Sequence, residues 1–163
     1  MRLQLYLATA MLLVACDGSD NEFVLQRINP DNLTAHPAYS QVTTVSGDSR
    51  LIYVAGQTDV GPDHVPGAND CRHDDWSGQL TSIVENVGIA LTTVGATWDD
   101  VVFIRRFVLN MEEFRRALAD TENPQATLWK NGPPPSTLIE VSALAEPCYL
   151  IEIDVVAAVA GHN

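Results

Sequence analysis

Hydrophobic and polar positions alternate with two different periods along this chain, and the changes of period mark its elements. A strand is predicted over residues 23–28, broken by Asn29-Pro30-Asp31-Asn32. Two more strands follow, near 39–46 and 51–55, with Gly47-Asp48-Ser49 between them as a hairpin-type turn. Residues 61–69 are polar and rich in Gly and Pro, and read as a loop. Leu80, Ile83, Val84, Val87, Leu91 and Val94 then recur at the spacing of one helical face. Asp74 or Asp75 is placed to cap the start of that helix, and Gly95 to end it in a left-handed cap.

Residues 101–109 are β-branched and aromatic, and predict a central strand covered on both sides. Alternation puts Val101, Phe103, Phe107 and Leu109 on one face and Val102, Ile104 and Val108 on the other. A second helix starts near Met111, with Phe114 and Leu118 four apart. Asn131-Gly132-Pro133-Pro134-Pro135 ends that region. Strands at 136–144 and 149–159 close the chain, with Ala145-Glu146-Pro147-Cys148 turning between them. The order β-β-β-α-β-α-β-β predicts the α+β class, a mixed sheet backed by two helices.

The first residues follow another logic. Met1-Arg2 precedes an apolar run to Ala15, shorter than the roughly 20 residues that span a bilayer. A positive start, an apolar middle and small residues at the cut have signal-peptide proportions. Leu13-Val14-Ala15-Cys16 resembles the bacterial lipobox, in which the cysteine is acylated and becomes the mature N-terminus. On this reading residues 1–15 are a signal peptide, 16–22 a tether, and 23–163 the folded domain, held at the cell envelope by a lipid on Cys16. A buried strand or a misassigned start codon are the alternatives, and would leave the protein cytoplasmic.

Length and composition agree with one globular domain: 163 residues, 46% hydrophobic and 18% charged. Nine Lys+Arg against 21 Asp+Glu give a net charge of −12, which a phosphate backbone repels, so no nucleic-acid partner is expected. Of the three cysteines, Cys71 and Cys148 remain as an even pair once Cys16 is set aside; if the chain is exported they are candidates for a disulfide, the alternative being two unrelated thiols. Cys71-Arg72-His73-Asp74-Asp75 holds metal-ligand residue types, but no second cluster in the sequence completes a site, and no metal is expected. There is no GxGxxG and no P-loop.

Five stretches, in order, resemble the RidA/YjgF family. They are Pro37-Ala38-Tyr39-Ser40-Gln41; Val54-Ala55-Gly56-Gln57; Glu85-Asn86-Val87 through Val94-Gly95-Ala96; Asp99-Asp100-Val101-Val102 through Phe107-Val108; and Ser136-Thr137-Leu138-Ile139-Glu140-Val141 with Leu150-Ile151-Glu152-Ile153. The resemblance runs from about Asn29 to Ala160. It implies a chorismate-mutase-like fold with a mixed six-stranded sheet backed by two helices. It also implies a homotrimer with small-ligand clefts between subunits, and hydrolysis of enamines and imines without a cofactor.

Carried over residue by residue, the family's water-positioning glutamate is Glu152 and its cleft tyrosine is Tyr39. Ala55, Gly56 and Gln57 match the binding segment of the third strand, with Ala55 in place of the usual serine. Ser136, Thr137 and Leu138 match the segment that opens the fifth strand. The family's arginine, which grips the substrate carboxylate there, is Ser136 in this chain. Losing such a charge-assisted bond costs roughly 1.5–3 kcal/mol, so imino acids are expected to bind poorly in the standard pose unless Arg105 or Arg106 supplies a guanidinium from the next strand. Glu140 reads as structural. Ser136 is a weak nucleophile without a base, and His36 is the only histidine near enough in motif to be considered. Two functions stay open: a deaminase-like hydrolase with an altered substrate, and a non-catalytic trimer that binds a small ligand at the envelope.

Overall fold

The computed structural model of the protein describes residues 21–120 and 123–161. The expected signal peptide, the lipidation residue Cys16 and most of the 16–22 tether lie outside them. Among the described residues no helix is long and apolar enough to cross a membrane.

The strands are β1 (Val24–Ile28), β2 (Val42–Ser46), β3 (Ser49–Gln57), β4 (Val101–Val108), β5 (Ser136–Glu140) and β6 (Ile151–Ala160), and the helices are α1 (Trp76–Thr93) and α2 (Met111–Ala119). The predicted element order and α+β class hold. The sheet itself is divided. β1 and β2 form a two-stranded ribbon, and the other four form a mixed sheet in the order β3-β6-β4-β5. β6 runs antiparallel to both neighbours, while β4 and β5 are parallel. A parallel pair needs a crossover, which α2 provides.

The division explains the missing β2–β3 hairpin. Gly47 turns with φ +79°, and a Cβ there would lie 1.9 Å from the Glu22 carbonyl oxygen. Asp48 donates its N–H to Asn21 O and accepts from Gly161 N–H. The turn is clamped between the start of the domain and the end of β6, so it hands the chain from ribbon to sheet.

α1 starts where Asp75 accepts the Gly78 N–H and ends at Gly95, whose φ is +75°. Its Leu80, Ile83, Val87 and Leu91 are fully buried against Ile151, Ile153 and Ala157 of β6 and the neighbouring strands. Each such side chain contributes roughly 1.5–3 kcal/mol. The β6 sequence alternates as a strand with one core face must, leaving Glu152, Asp154 and Val156 on the other.

β4 departs from simple alternation. Its pairing with β6 shifts between Val101 and Phe103, a bulge that moves Val101 onto the face of Ile104 and Val108. The buried face therefore reads Val101, Ile104, Arg106, Val108. Two predicted strands are also trimmed. β2 starts at Val42 because Ser40 gives both its N–H and its hydroxyl to Pro133 O. β5 stops at Glu140 because the chain leaves the sheet to hold the 61–73 loop. There Glu146 accepts the N–H groups of Gly67 and Asn69, and Cys148 forms a disulfide with Cys71, Cα atoms 5.9 Å apart. Buried Gln79 ties this segment to α1, donating to Cys148 O and accepting from Leu150 N–H.

Candidate functional site

A cleft of about 610 Å³ opens between α2, the turn Pro124–Thr127, the first residues of β5 and the segment 36–39. The Ser40–Pro133 bonds hold that segment over the mouth. Within it the rings of His36 and Tyr39 stack, centroids 4.8 Å apart. Tyr39, Ser136 and Leu138, far apart in sequence, line this one cavity. Thr137 does not: on β5 it alternates to the opposite side of Ser136 and Leu138 and is exposed.

The two arginines of β4 part company. Arg105 points to the outer sheet face and is held by Asp154, Nε to Oδ1 at 2.9 Å and Nη2 to Oδ2 at 2.9 Å. Arg106 lies on the core face and ends in the cleft. Its Nη1 donates to Ser136 Oγ at 2.5 Å, and its Nε and Nη2 both donate to Gln125 Oε1, at 3.2 and 3.0 Å. Burial holds the Arg106 guanidinium below its usual range, at about 10, so it is still charged at neutral pH. A guanidinium from the neighbouring strand thus stands beside Ser136.

Gln125 is positioned by Asn123, whose Oδ1 accepts the Gln125 N–H. With its Oε1 spent on Arg106, the Gln125 Nε2 is buried without a hydrogen-bond partner among the described residues. Arg115, exposed on α2, adds a second cation, and Phe114, Leu118, Trp129 and Leu138 supply apolar wall. No Asp or Glu lines the cleft among the described residues. Ser136 Oγ is an acceptor for Arg106, and no His36–Ser136 bond is present among the described residues, so no nucleophile–base pair forms.

Glu152 lies elsewhere in the chain, on the outer face of β6 across from Phe107. Its carboxylate rests on Gly56: a Cβ there would lie 1.9 Å from Glu152 Oε1. Burial, and then the charge of Asp154, raise its pKa above the usual carboxylate range. Ala55 and Gln57 flank the contact, and Gln57 Nε2 donates to Ala55 O. The expected site residues therefore form two groups, Glu152 with 55–57 on the outer face and Tyr39 with Ser136 and Leu138 in the cleft. Glu140 is structural, accepting the Met111 N–H at the start of α2. Arg115 and Gln125 were not foreseen: neither sits in a motif, and only the folded path of the 123–135 segment brings Gln125 to the cleft.

A separate cluster joins His64, Asp70 and Glu146, ligand-type atoms within 4.8 Å of one another. His64 Nδ1 meets Asp70, and Nε2 meets Glu146 at 3.1 Å and the Tyr149 hydroxyl at 3.2 Å. The Glu146 oxygens are already taken by Gly67 and Asn69, so the cluster is a clasp on the loop. The acids raise the His64 pKa, chiefly through Asp70, and the Gly67 N–H chiefly lowers that of Glu146.

Comparison with known proteins gives the family and the fold. The family model described as Endoribonuclease L-PSP matches residues 30–159. The RutC family protein SSO3206 of Saccharolobus solfataricus is 31% identical over 119 residues, 73% of this chain and 85% of that one. Among solved structures, the Rid-family protein YyfB of Yersinia pestis is 25% identical with a TM-score of 0.67, covering 83% of this chain and 98% of that one. YyfA of the same organism is 27% identical with a TM-score of 0.55, covering 83% and 100%.

Proposed function

The chain belongs to the Endoribonuclease L-PSP family, also known as RidA/YjgF, and from that premise we propose that it hydrolyses an enamine or imine of a small metabolite in a cleft completed by a second copy of the chain. One observation carries the reading: Tyr39, Ser136 and Leu138, separated by up to about a hundred residues, line one cavity of metabolite size. Glu152 faces away from that cavity in its own chain, so a neighbouring copy would have to bring it there, as in the trimer typical of the family. A water oriented by Glu152 adds to the imine carbon and gives one proton to nitrogen, forming a carbinolamine; the hydroxyl proton then passes to nitrogen as the C–N bond breaks, leaving a carbonyl compound and ammonia. Burial raises the pKa of the Glu152 carboxylate, which makes it a stronger base for that proton transfer. No cofactor is needed for these steps. RNA cleavage is disfavoured by the net charge of −12.

Ammonia release from 2-iminopropanoate generated in situ, and from imines lacking a carboxylate, tests the proposal on the full chain. Glu152→Gln is expected to lose about 100-fold or more in rate. No release above background from any imine would overturn it and favour the second reading, a binding protein without catalysis. The absence of any acid among the cleft-lining residues is what favours that second reading. We also place the protein at the cell envelope, on the strength of Leu13-Val14-Ala15-Cys16. Palmitate labelling that Cys16→Ser abolishes would support that placement, and an unlabelled wild type would refute it.

A further inference from the structure

Arg106 is a buried cation with neutral partners. It is 8% exposed, and its acceptors are Gln125 Oε1 and Ser136 Oγ. The other arginines with ion pairs spend them elsewhere, Arg105 on Asp154 and Arg116 on Glu112 and Glu113. Charges taken out of water are ordinarily paired, because desolvation costs several kcal/mol per ion. Here no carboxylate among the described residues offsets the charge.

The surroundings point the same way. Gln125 is 6% exposed and its Nε2 has no partner among the described residues. An orphaned buried donor costs free energy until something accepts from it. Arg115 stands over the same cavity. In a chain of net charge −12, this cleft gathers two guanidiniums and an amide, with no acid among its described lining residues. Its remaining wall, Phe114, Leu118, Trp129 and Leu138, is apolar or aromatic.

We infer that Arg106 and Gln125 Nε2 form an anion clamp, and that the ligand is a monocarboxylic acid with an apolar or aromatic tail. The inference rests on the reading of this cleft as the ligand site. The carboxylate takes hydrogen bonds from the outer edge of the guanidinium and from the amide, a charge-assisted arrangement. The tail lies along Leu118 and Trp129, the partly exposed apolar residues of the wall. Specificity for the acid thus comes from β4, where the family places its guanidinium on β5.

Isothermal calorimetry on the full chain compares 3-phenylpropanoate, 3-phenylpropanamide, acetate and inorganic phosphate. The acid is expected to bind at least tenfold more tightly than its amide, and acetate and phosphate more weakly than the acid. Gln125→Glu keeps the shape but gives Arg106 an internal counter-charge, and is expected to melt no lower than wild type while the preference falls below threefold. Arg106→Met removes the charge without adding one and is expected to show the same fall. Equal binding of acid and amide by wild type, a preference that survives in both variants, or tighter binding of phosphate would overturn the inference. Calorimetry stands apart from turnover. Acid binding without ammonia release refutes the deaminase reading alone, and equal ammonia release from imines with and without a carboxylate refutes the clamp alone.

Discussion

Arg106 on β4 donates a hydrogen bond to the hydroxyl of Ser136 on β5, so a guanidinium occupies the start of β5 although the sequence has a serine there. The relationship depends on two local facts. Arg106 has the strand parity of Ile104 and Val108, which turns it toward the helices. Ser136 is small enough to leave room for it.

Arg106→Met is expected to hold or raise stability. A buried cation without a counter-charge is replaced by an apolar side chain of similar length, and such replacements are often neutral or stabilising, here by about 1 kcal/mol or more. Urea unfolding measures it. A loss above about 2 kcal/mol would mean that the bonds to Gln125 and Ser136 are structural.

Gly56→Ala is expected to impair function more than folding. The new Cβ would fall on Glu152 Oε1, and a flexible carboxylate can move away. Stability should change by no more than about 1 kcal/mol, while ammonia release falls toward that of Glu152→Gln. Wild-type turnover in Gly56→Ala would show that the Glu152 position does not matter.

The His64 clasp gives the 61–70 loop a pH dependence with two sides. The His64 pKa is raised in the fold, so its contribution is whole below its unfolded value of about 6.5 and is lost as pH rises through the raised value. The Glu146 pKa is lowered, so its contribution is present above its unfolded value of about 4.3 and is lost as pH falls through the lowered one. Limited proteolysis of the loop should therefore be slowest at mildly acid pH and quicken on the alkaline side. His64→Ala should remove the alkaline dependence. A profile identical in the variant would place the dependence on other groups.

Reducing the Cys71–Cys148 bond is expected to destabilise the protein by about 2–4 kcal/mol, the usual range for removing a disulfide; the separation of 77 residues favours the upper end. Thermal melts with and without reductant at one pH read the effect. Unchanged melting would mean that Glu146 and Gln79 hold that region unaided.

Much of the fold was legible because it rests on local periodicity. The helical stripe from Leu80 to Leu91, the Asp75 and Gly95 caps and the alternation in β6 need no partner to be recognised. Strand pairing is tertiary, so Gly47-Asp48-Ser49 reads as a hairpin turn in the sequence although Asn21 and Gly161 hold it in the fold. The bulge that returns Val101 to the core is likewise invisible to simple alternation. In the site, Tyr39, Ser136 and Leu138 were marked by motif, and Arg106 could be named as one of two candidates. The sequence did not reveal that its face ends at the cleft, because Gln125 and Trp129 reach that cleft from a segment without repeat or motif.

The most direct test of the account is a crystal structure of the full chain with 3-phenylpropanoate. The carboxylate is expected on Arg106 and Gln125 Nε2, the phenyl ring beside Trp129, and Glu152 of a neighbouring copy at the cleft mouth. A ligand bound away from Arg106, with Gln125 Nε2 still unpartnered and Glu152 remote from every cleft, would contradict it.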